Sequence, residues 1–277
     1  MIPKIIHYCW FGGNPLPESA KKCIDSWKKY CPNYEIREWN ETNYDLSSNH
    51  YMEEAYSRKI WGFVPDYARL DIVYQHGGIY MDVDVEVVRS MDELLNNAFY
   101  MGIEKSASGS ISVNPGLGFG AEKHDPGIYK LMHEIYDNLS FINQDGTVNK
   151  TPSPIMNTEY LETLGFKRED REQTVEGIHI YPSECFCPKN FETAEIHCTD
   201  KTYSIHHFDA SWYTSHEKKW HVMRQKLAQK IGFEKSNFVF ELLPIRLVGR
   251  IYKSGWKEQR SISNVCYHAE YNFNLRG

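Results

Sequence analysis

Two aspartates one residue apart, Asp82 and Asp84, stand in the segment Ile79-Tyr-Met-Asp-Val-Asp-Val-Glu-Val-Val88. On a strand, residues i and i+2 project to the same side a few ångströms apart. Two ionised carboxylates that close repel each other unless a cation or a proton intervenes. A hard divalent ion such as Mn²⁺ or Mg²⁺ takes one or two carboxylates and completes its shell with phosphate oxygens and water. The pair therefore reads as a platform for a diphosphate, with a plain solvated strand face as the alternative. One helix upstream, Asp66 and Arg69 share a face at i,i+3. The Arg supplies charge-assisted donors to phosphate and the Asp accepts from hydroxyls; a surface salt bridge is the alternative there. Glycoside hydrolysis suits the aspartate pair less well, because its two carboxyl groups flank a sugar at about 5 Å or more.

The elements that must position these groups follow from pattern. Lys4 to Phe11 is apolar and ends at Gly12-Gly13, as a buried strand does. Glu18 to Tyr30 carries Ala20, Cys23, Ile24 and Trp27 at helical spacing, with Pro17 before it and Pro32 after. Tyr34 to Trp39 alternates as a second strand, which completes a βαβ unit and an α/β reading. The helix carrying Asp66 and Arg69 is expected over Pro65–His76, with proline at its first position and Gly77-Gly78 past its last turn. The segment after it is expected as one strand, with Met81, Val83, Val85 and Val87 on one face and Tyr80, Asp82, Asp84 and Glu86 on the other. Residues 106–120 and 144–154 read as loops.

Composition bounds the rest. The 277 residues are 41% hydrophobic and 25% charged, as in globular proteins, and no apolar run is long enough for a membrane span. A net charge of -6 argues against a general nucleic-acid binder. Seven cysteines without a CxxC pair exclude a complete disulfide framework and suit a reducing compartment, so cytoplasmic residence is expected. Between residues 217 and 260 the balance turns basic, with eleven Lys/Arg against four Asp/Glu. Helices over 217–232 and 238–254 are expected there, so the chain divides into a domain of residues 1–215 and a basic helical appendage of residues 216–277. The appendage suits either packing on the domain or peripheral contact with an anionic membrane face.

Three blocks carry a family resemblance: Pro3-Lys-Ile-Ile-His-Tyr-Cys-Trp-Phe-Gly-Gly13, the unbroken run from Pro65 to Asp84, and Ile205-His-His-Phe-Asp-Ala-Ser-Trp212. Together they resemble the signature blocks of the DXD-containing glycosyltransferase family 32. That family includes capsular polysaccharide glycosyltransferases and yeast mannosyltransferases, and its core is similar to the catalytic domain of clostridial glucosylating toxins. The resemblance implies a GT-A fold, a Rossmann-like mixed sheet flanked by helices. It also implies a nucleotide-sugar donor, UDP-linked more readily than GDP-linked, a divalent cation, and transfer with retention of anomeric configuration. The acceptor implied is a glycan or lipid-linked glycan of surface or capsular polysaccharide; a protein acceptor, as in the toxins, and a noncatalytic sugar-binding module are the alternatives.

By position, the resemblance puts His7 and Trp10 beside the nucleotide, with Trp10 against the base. It puts Asp66 and Arg69 on the transferred sugar and diphosphate, and Tyr80 by the donor. Asp82 and Asp84 serve ribose and metal. Of the two adjacent histidines, which must face opposite ways on a strand, the spacing to Phe208 and Trp212 favours His207 over His206 as the metal ligand. Ser211 and Trp212 touch the diphosphate, Asn114 lies beside the donor sugar, and Thr151 to Pro154 lies toward the acceptor.

Overall fold

A computed structural model describes residues 1–209 and 215–242. The helix and strand nearest the N-terminus form where the pattern puts them. β1 (Ile5–Cys9) leads through α1 (Glu18–Tyr30) to β2 (Glu35–Trp39), which pairs parallel to β1. α1 buries Ala20, Cys23, Ile24 and Trp27, one stripe at helical spacing. α2 (His50–Ser57) is capped by Asn49, whose side chain accepts from the Met52 N–H. α3 (Pro65–His76) has the expected bounds. Its stop is enforced twice, because Gly77 and Gly78 have φ of 65° and 112°, and a Cβ on Gly78 would stand 2.7 Å from the Ile5 carbonyl oxygen.

The strand expected after α3 is broken, which corrects the sequence reading. β3 (Gly78–Tyr80) joins β1 in the main sheet, whereas β4 (Val85–Val87) pairs antiparallel with β10 (Ser204–His206) in a separate two-stranded sheet. Between them the chain turns: the Val85 N–H donates to the Asp82 carbonyl, and the Asp82 N–H donates to the carbonyl of Gly116. Trp27, fully buried, donates its indole N–H to the Val85 carbonyl at 2.7 Å and so ties α1 to the departing strand. The two aspartates therefore sit on a turn just beyond the C-terminal end of β3, inside the strand order of the main sheet, where their carboxylates are partly exposed.

The remaining strands are β5 (Phe99–Lys105), β6 (Ile111–Val113), β7 (Phe119–Ala121), β8 (Gln173–Val175) and β9 (Ile178–Tyr181). The main sheet runs β2-β1-β3-β7-β5-β9-β8, mixed in direction, with β6 paired to β5. Segment 106–120, expected as a loop, thus contains two short strands and a turn of 3₁₀ helix over Pro115–Leu117. The helices α4 (Pro126–Tyr136), α5 (Ser153–Thr163) and α6 (Ser183–Phe186) follow, then α7 (Ser215–Ile231) and α8 (Phe233–Leu242). The helix expected over 238–254 starts earlier than expected, and its part beyond residue 242 lies outside the described residues.

Successive residues of the central strands enter two different hydrophobic clusters, as a period of two requires. Cys9, Phe11, Tyr80, Phe99 and Met101 pack on one face; Ile6, Tyr8, Ile79, Met81 and Tyr100 pack on the other. Both faces are covered by helices, so the α/β reading is what the fold delivers, and Asp82 and Asp84 lie beyond the end of β3 next to β1.

Candidate active site

α3 delivers Asp66 and Arg69 from one face, both 4% exposed. Arg69 Nη2 donates to Asp66 Oδ1 at 2.6 Å, and Arg69 Nε donates to the Pro65 carbonyl at 3.1 Å. Its Nη1 reaches toward Asp82 Oδ2 at 3.7 Å. A hydrogen bond from Ser153, at the start of α5, also reaches Asp66. Burial nevertheless pushes the Asp66 carboxyl up to about 6, against the pull of Arg69. This is a buried charge network and not the surface salt bridge that the spacing alone allowed.

Asp82 is held on three sides. The Tyr80 hydroxyl donates to its Oδ1 at 2.9 Å, Arg69 faces Oδ2, and its backbone N–H is on Gly116. Asp84 is held on the other side of the turn: the Asp209 N–H donates to Oδ2 at 2.9 Å, and His206 Nε2 lies 3.2 Å from Oδ1. Burial opposes ionisation of both members of that pair, but each stabilises the other's charge, so Asp84 is shifted down and His206 up.

Donor atoms of Asp82, Asp84 and His206 all lie within 4.8 Å of one another, and among the described residues this is the one cluster of its kind. Two carboxylates and an imidazole converging this closely suit a divalent ion of the Mn²⁺ or Mg²⁺ class. The His206 ring presents Nε2 to Asp84, 3.2 Å from Oδ1, so an imidazole nitrogen stands on the carboxylate side. The residues present therefore fit the cation.

The histidine assignment is corrected by this geometry. β10 pairs His206 opposite Val85, which turns its ring inward to Asp84. His207 points the other way, with Nε2 2.8 Å from Glu86 Oε2, and only its backbone N–H touches Asp84, through the carbonyl.

His7 is also corrected. It is fully buried, its Nε2 bonds the Gly77 carbonyl at 2.8 Å, and its Nδ1 accepts from Trp39 Nε1 at 3.1 Å. With both ring nitrogens used, it braces the Gly77 turn and offers nothing to a nucleotide. Burial lowers its pKa to about 4, which suits a neutral ring that accepts at one nitrogen. Tyr80, 1% exposed, likewise reaches any donor only through Asp82. Trp10 is half-buried against the second core cluster, with Nε1 donating to the Asn14 carbonyl. Asn114 is buried next to the Asp82 turn, between Glu104 and Gly116. Ser211 and Trp212 lie outside the described residues.

Sequence reasoning missed Glu104, Lys189 and the role of Ser153. Lys189 donates to the His207 carbonyl at 2.7 Å and is pushed down by burial, in the field of Asp209 and Asp84. No spacing rule links residues 104 or 189 to residue 84; only Ser153, inside the singled-out 151–154 segment, carried a signal.

Residues 17–100 match the family model described as the glycosyltransferase sugar-binding region containing DXD motif, a span that takes in α1, α3, Asp82 and Asp84. A glycosyltransferase of Acanthamoeba polyphaga mimivirus, described as uncharacterized, is 23% identical over 223 residues, covering 76% of this chain and 84% of its own. Inositol phosphoceramide mannosyltransferase 3 of Schizosaccharomyces pombe is 36% identical over 107 residues, covering 34% of this chain and 28% of its own. Among solved structures, the PaToxG glycosyltransferase superposes with a TM-score of 0.46 at 20% identity, covering 58% of this chain and 69% of that one. The mixed sheet flanked by helices carries an Asp-x-Asp turn just beyond the end of β3, inside the span that matches the DXD-containing sugar-binding region of glycosyltransferases. The chain is thus similar to glycosyltransferases through its DXD-containing region, residues 17–100.

Proposed function

We propose that the protein transfers a sugar from a nucleotide-sugar, a UDP-sugar in preference to a GDP-sugar, onto a glycan or lipid-linked glycan of surface or capsular polysaccharide. The observation that carries this reading is the convergence of Asp82, Asp84 and His206 beside the buried Arg69–Asp66 pair. A cation held by those three residues, Mn²⁺ or Mg²⁺, would supply positive charge to the departing diphosphate.

The chain's own residues do the rest. Arg69, fixed by Asp66 and the Pro65 carbonyl, keeps its Nη1 side toward Asp82 and is preorganised to donate to phosphate oxygen without moving. Asp66 Oδ atoms are placed to accept from sugar hydroxyls, and Ser153 holds the carboxyl from the α5 side. Tyr80 fixes the rotation of the Asp82 carboxylate. Trp10, half-buried at the end of β1, offers an indole face to the base, and Ser211 and Trp212 are assigned to the diphosphate by their block alone.

Retention of configuration is part of the proposal. Four carboxylates of the site are engaged: Asp66 by Arg69, Asp82 by Tyr80, Asp84 by His206 and Glu104 by Asn114. That supports attack from the face of departure, with the leaving phosphate taking the acceptor's proton, over a double displacement through one of these four as nucleophile.

A lipid-linked acceptor and a place at the cytoplasmic face of a membrane are supported by the C-terminal helices, which we assign to an appendage of residues 216–277. No described helix is long and apolar enough to cross a membrane. α7 and α8 do expose Val222, Met223, Phe238 and Val239 among Lys218, Lys219, Lys226 and Lys235, a mixture suited to an anionic surface. Screening UDP- and GDP-sugars for manganese-dependent nucleotide release tests the donor assignment. UDP release from one UDP-sugar is expected; release from GDP-sugars alone would reverse it.

A further inference from the structure

Gly116 differs from the glycines around it. Gly118, two residues on, has φ of 123° and needs glycine for its backbone. Gly116 lies in the 3₁₀ turn Pro115–Leu117 with φ outside the left-handed region, where alanine is equally at home. What excludes a side chain there is Asp82. A Cβ on residue 116 would overlap Asp82 Oδ2 and stand 3.2 Å from its Cγ and 3.1 Å from Asn114 Oδ1. The space a methyl group would fill is occupied by the carboxylate.

The turn is also braced from below. Asn114 Oδ1 accepts from the Gly116 N–H at 2.7 Å, and Asn114 Nδ2 donates to Glu104 Oε2 at 2.6 Å. Glu104 thereby fixes which way the Asn114 amide faces. The Asn114 N–H is anchored on the Gly102 carbonyl at 3.1 Å, so the brace hangs from β5. The Gly116 carbonyl in turn accepts from the Asp82 N–H at 3.2 Å. Asp82 is thus seated on Gly116 twice, by its backbone and by its carboxylate, opposite Tyr80 and Arg69.

We infer that Gly116, held by the Asn114–Glu104 brace, is a positioning residue: its bare Cα is the seat that aims the Asp82 carboxylate at the point shared with Asp84 and His206. This rests on the cation reading of that cluster. A group that acts through a metal ligand is expected to change affinity about 10- to 100-fold when altered.

The test is a titration of Mn²⁺, alone and with UDP, into the full chain, reading free Mn²⁺ by electron paramagnetic resonance, beside thermal unfolding of the metal-free protein. Gly116→Ala is expected to weaken Mn²⁺ binding about 10- to 100-fold and to lower the metal-free melting temperature little, because the overlap is with the end of one side chain, Asp82 Oδ2, and not with backbone. Glu104→Ala is expected to weaken binding less, and Glu104→Gln to restore it, since a glutamine oxygen still accepts from Asn114. Unchanged Mn²⁺ affinity in Gly116→Ala overturns the inference. Should that variant not fold, an unchanged Glu104→Ala, or a Glu104→Gln as weak as Glu104→Ala, overturns it instead. No Mn²⁺ binding by the unaltered chain overturns the cation reading itself, and the seat with it.

Discussion

Replacing Arg69 by methionine removes the charge from a pair whose members are each 5% exposed in their side chains, at 2.6 Å separation. Breaking a buried pair by deleting one partner strands the other, at a typical cost of about 3–5 kcal/mol. The structure adds a pH dependence to that figure. Asp66 has a folded-state pKa raised from 3.8 to about 6 by burial, even with Arg69 present to lower it. In the pH window between those two values the folded chain binds more protons than the unfolded chain, so stability falls as pH rises. Over two units this amounts to about 3 kcal/mol. Without Arg69 the folded-state value moves higher still, so the fall continues past pH 6. The deficit of Arg69→Met relative to the unaltered chain must therefore widen above pH 6, by up to about 1.4 kcal/mol per unit. Urea unfolding at pH 5, 6 and 8 measures it directly. The double variant Asp66→Asn/Arg69→Met, with no stranded charge, should recover most of the loss. A deficit that is the same at all three pH values, or below about 1 kcal/mol at pH 8, would refute the buried-network reasoning.

Two further outcomes follow from the site. His206→Asn is expected to weaken Mn²⁺ binding by about tenfold or more, whereas His207→Asn leaves it unchanged; the reverse order in a titration would restore the assignment that block spacing favoured. His7 has a folded-state pKa near 4, below its unfolded value of 6.5. Its contribution is therefore intact above pH 6.5 and lost as pH falls toward 4, about 3 kcal/mol in all. Because Asp66 titrates over the same window with the opposite sign, the loss is read as a difference: from pH 7 to pH 4 the melting temperature of the unaltered chain should fall relative to that of His7→Asn.

How much of this was legible in the sequence depends on how local the cause is. α3 was readable to the residue because proline opens it and two glycines close it, and both act through their own backbone. The parallel β1-α1-β2 unit was readable because each element's periodicity is internal to it. The break between Tyr80 and Val85 was not readable, because alternation continues across it. Met81, Val85 and Val87 are all buried as alternation requires, and the turn is made by the Gly116 carbonyl and by pairing with β10, contacts far along the chain. The histidine parity failed for the same reason: it is set by the register of β10 on β4, which puts His206 opposite Val85. His7 was placed beside the nucleotide by its block position alone, and a buried histidine with two partners looks the same in sequence as a ligand-binding one. Asp82, Asp84, Asp66 and Arg69 were singled out because residue type and short spacing mark them, and the fold brings them together. Glu104 and Lys189 were not, because only the folded sheet brings them near.

The central claim is that Asp82, Asp84 and His206 hold a cation on which departure of the nucleoside diphosphate depends. Slow UDP release from a UDP-sugar without acceptor, followed in chelator, after restoring Mn²⁺, and in the folded Asp84→Ala variant, tests it most directly. Release that stops in chelator, returns with Mn²⁺ and is absent in Asp84→Ala is the result predicted. Undiminished release in chelator, or full activity of Asp84→Ala, would contradict it.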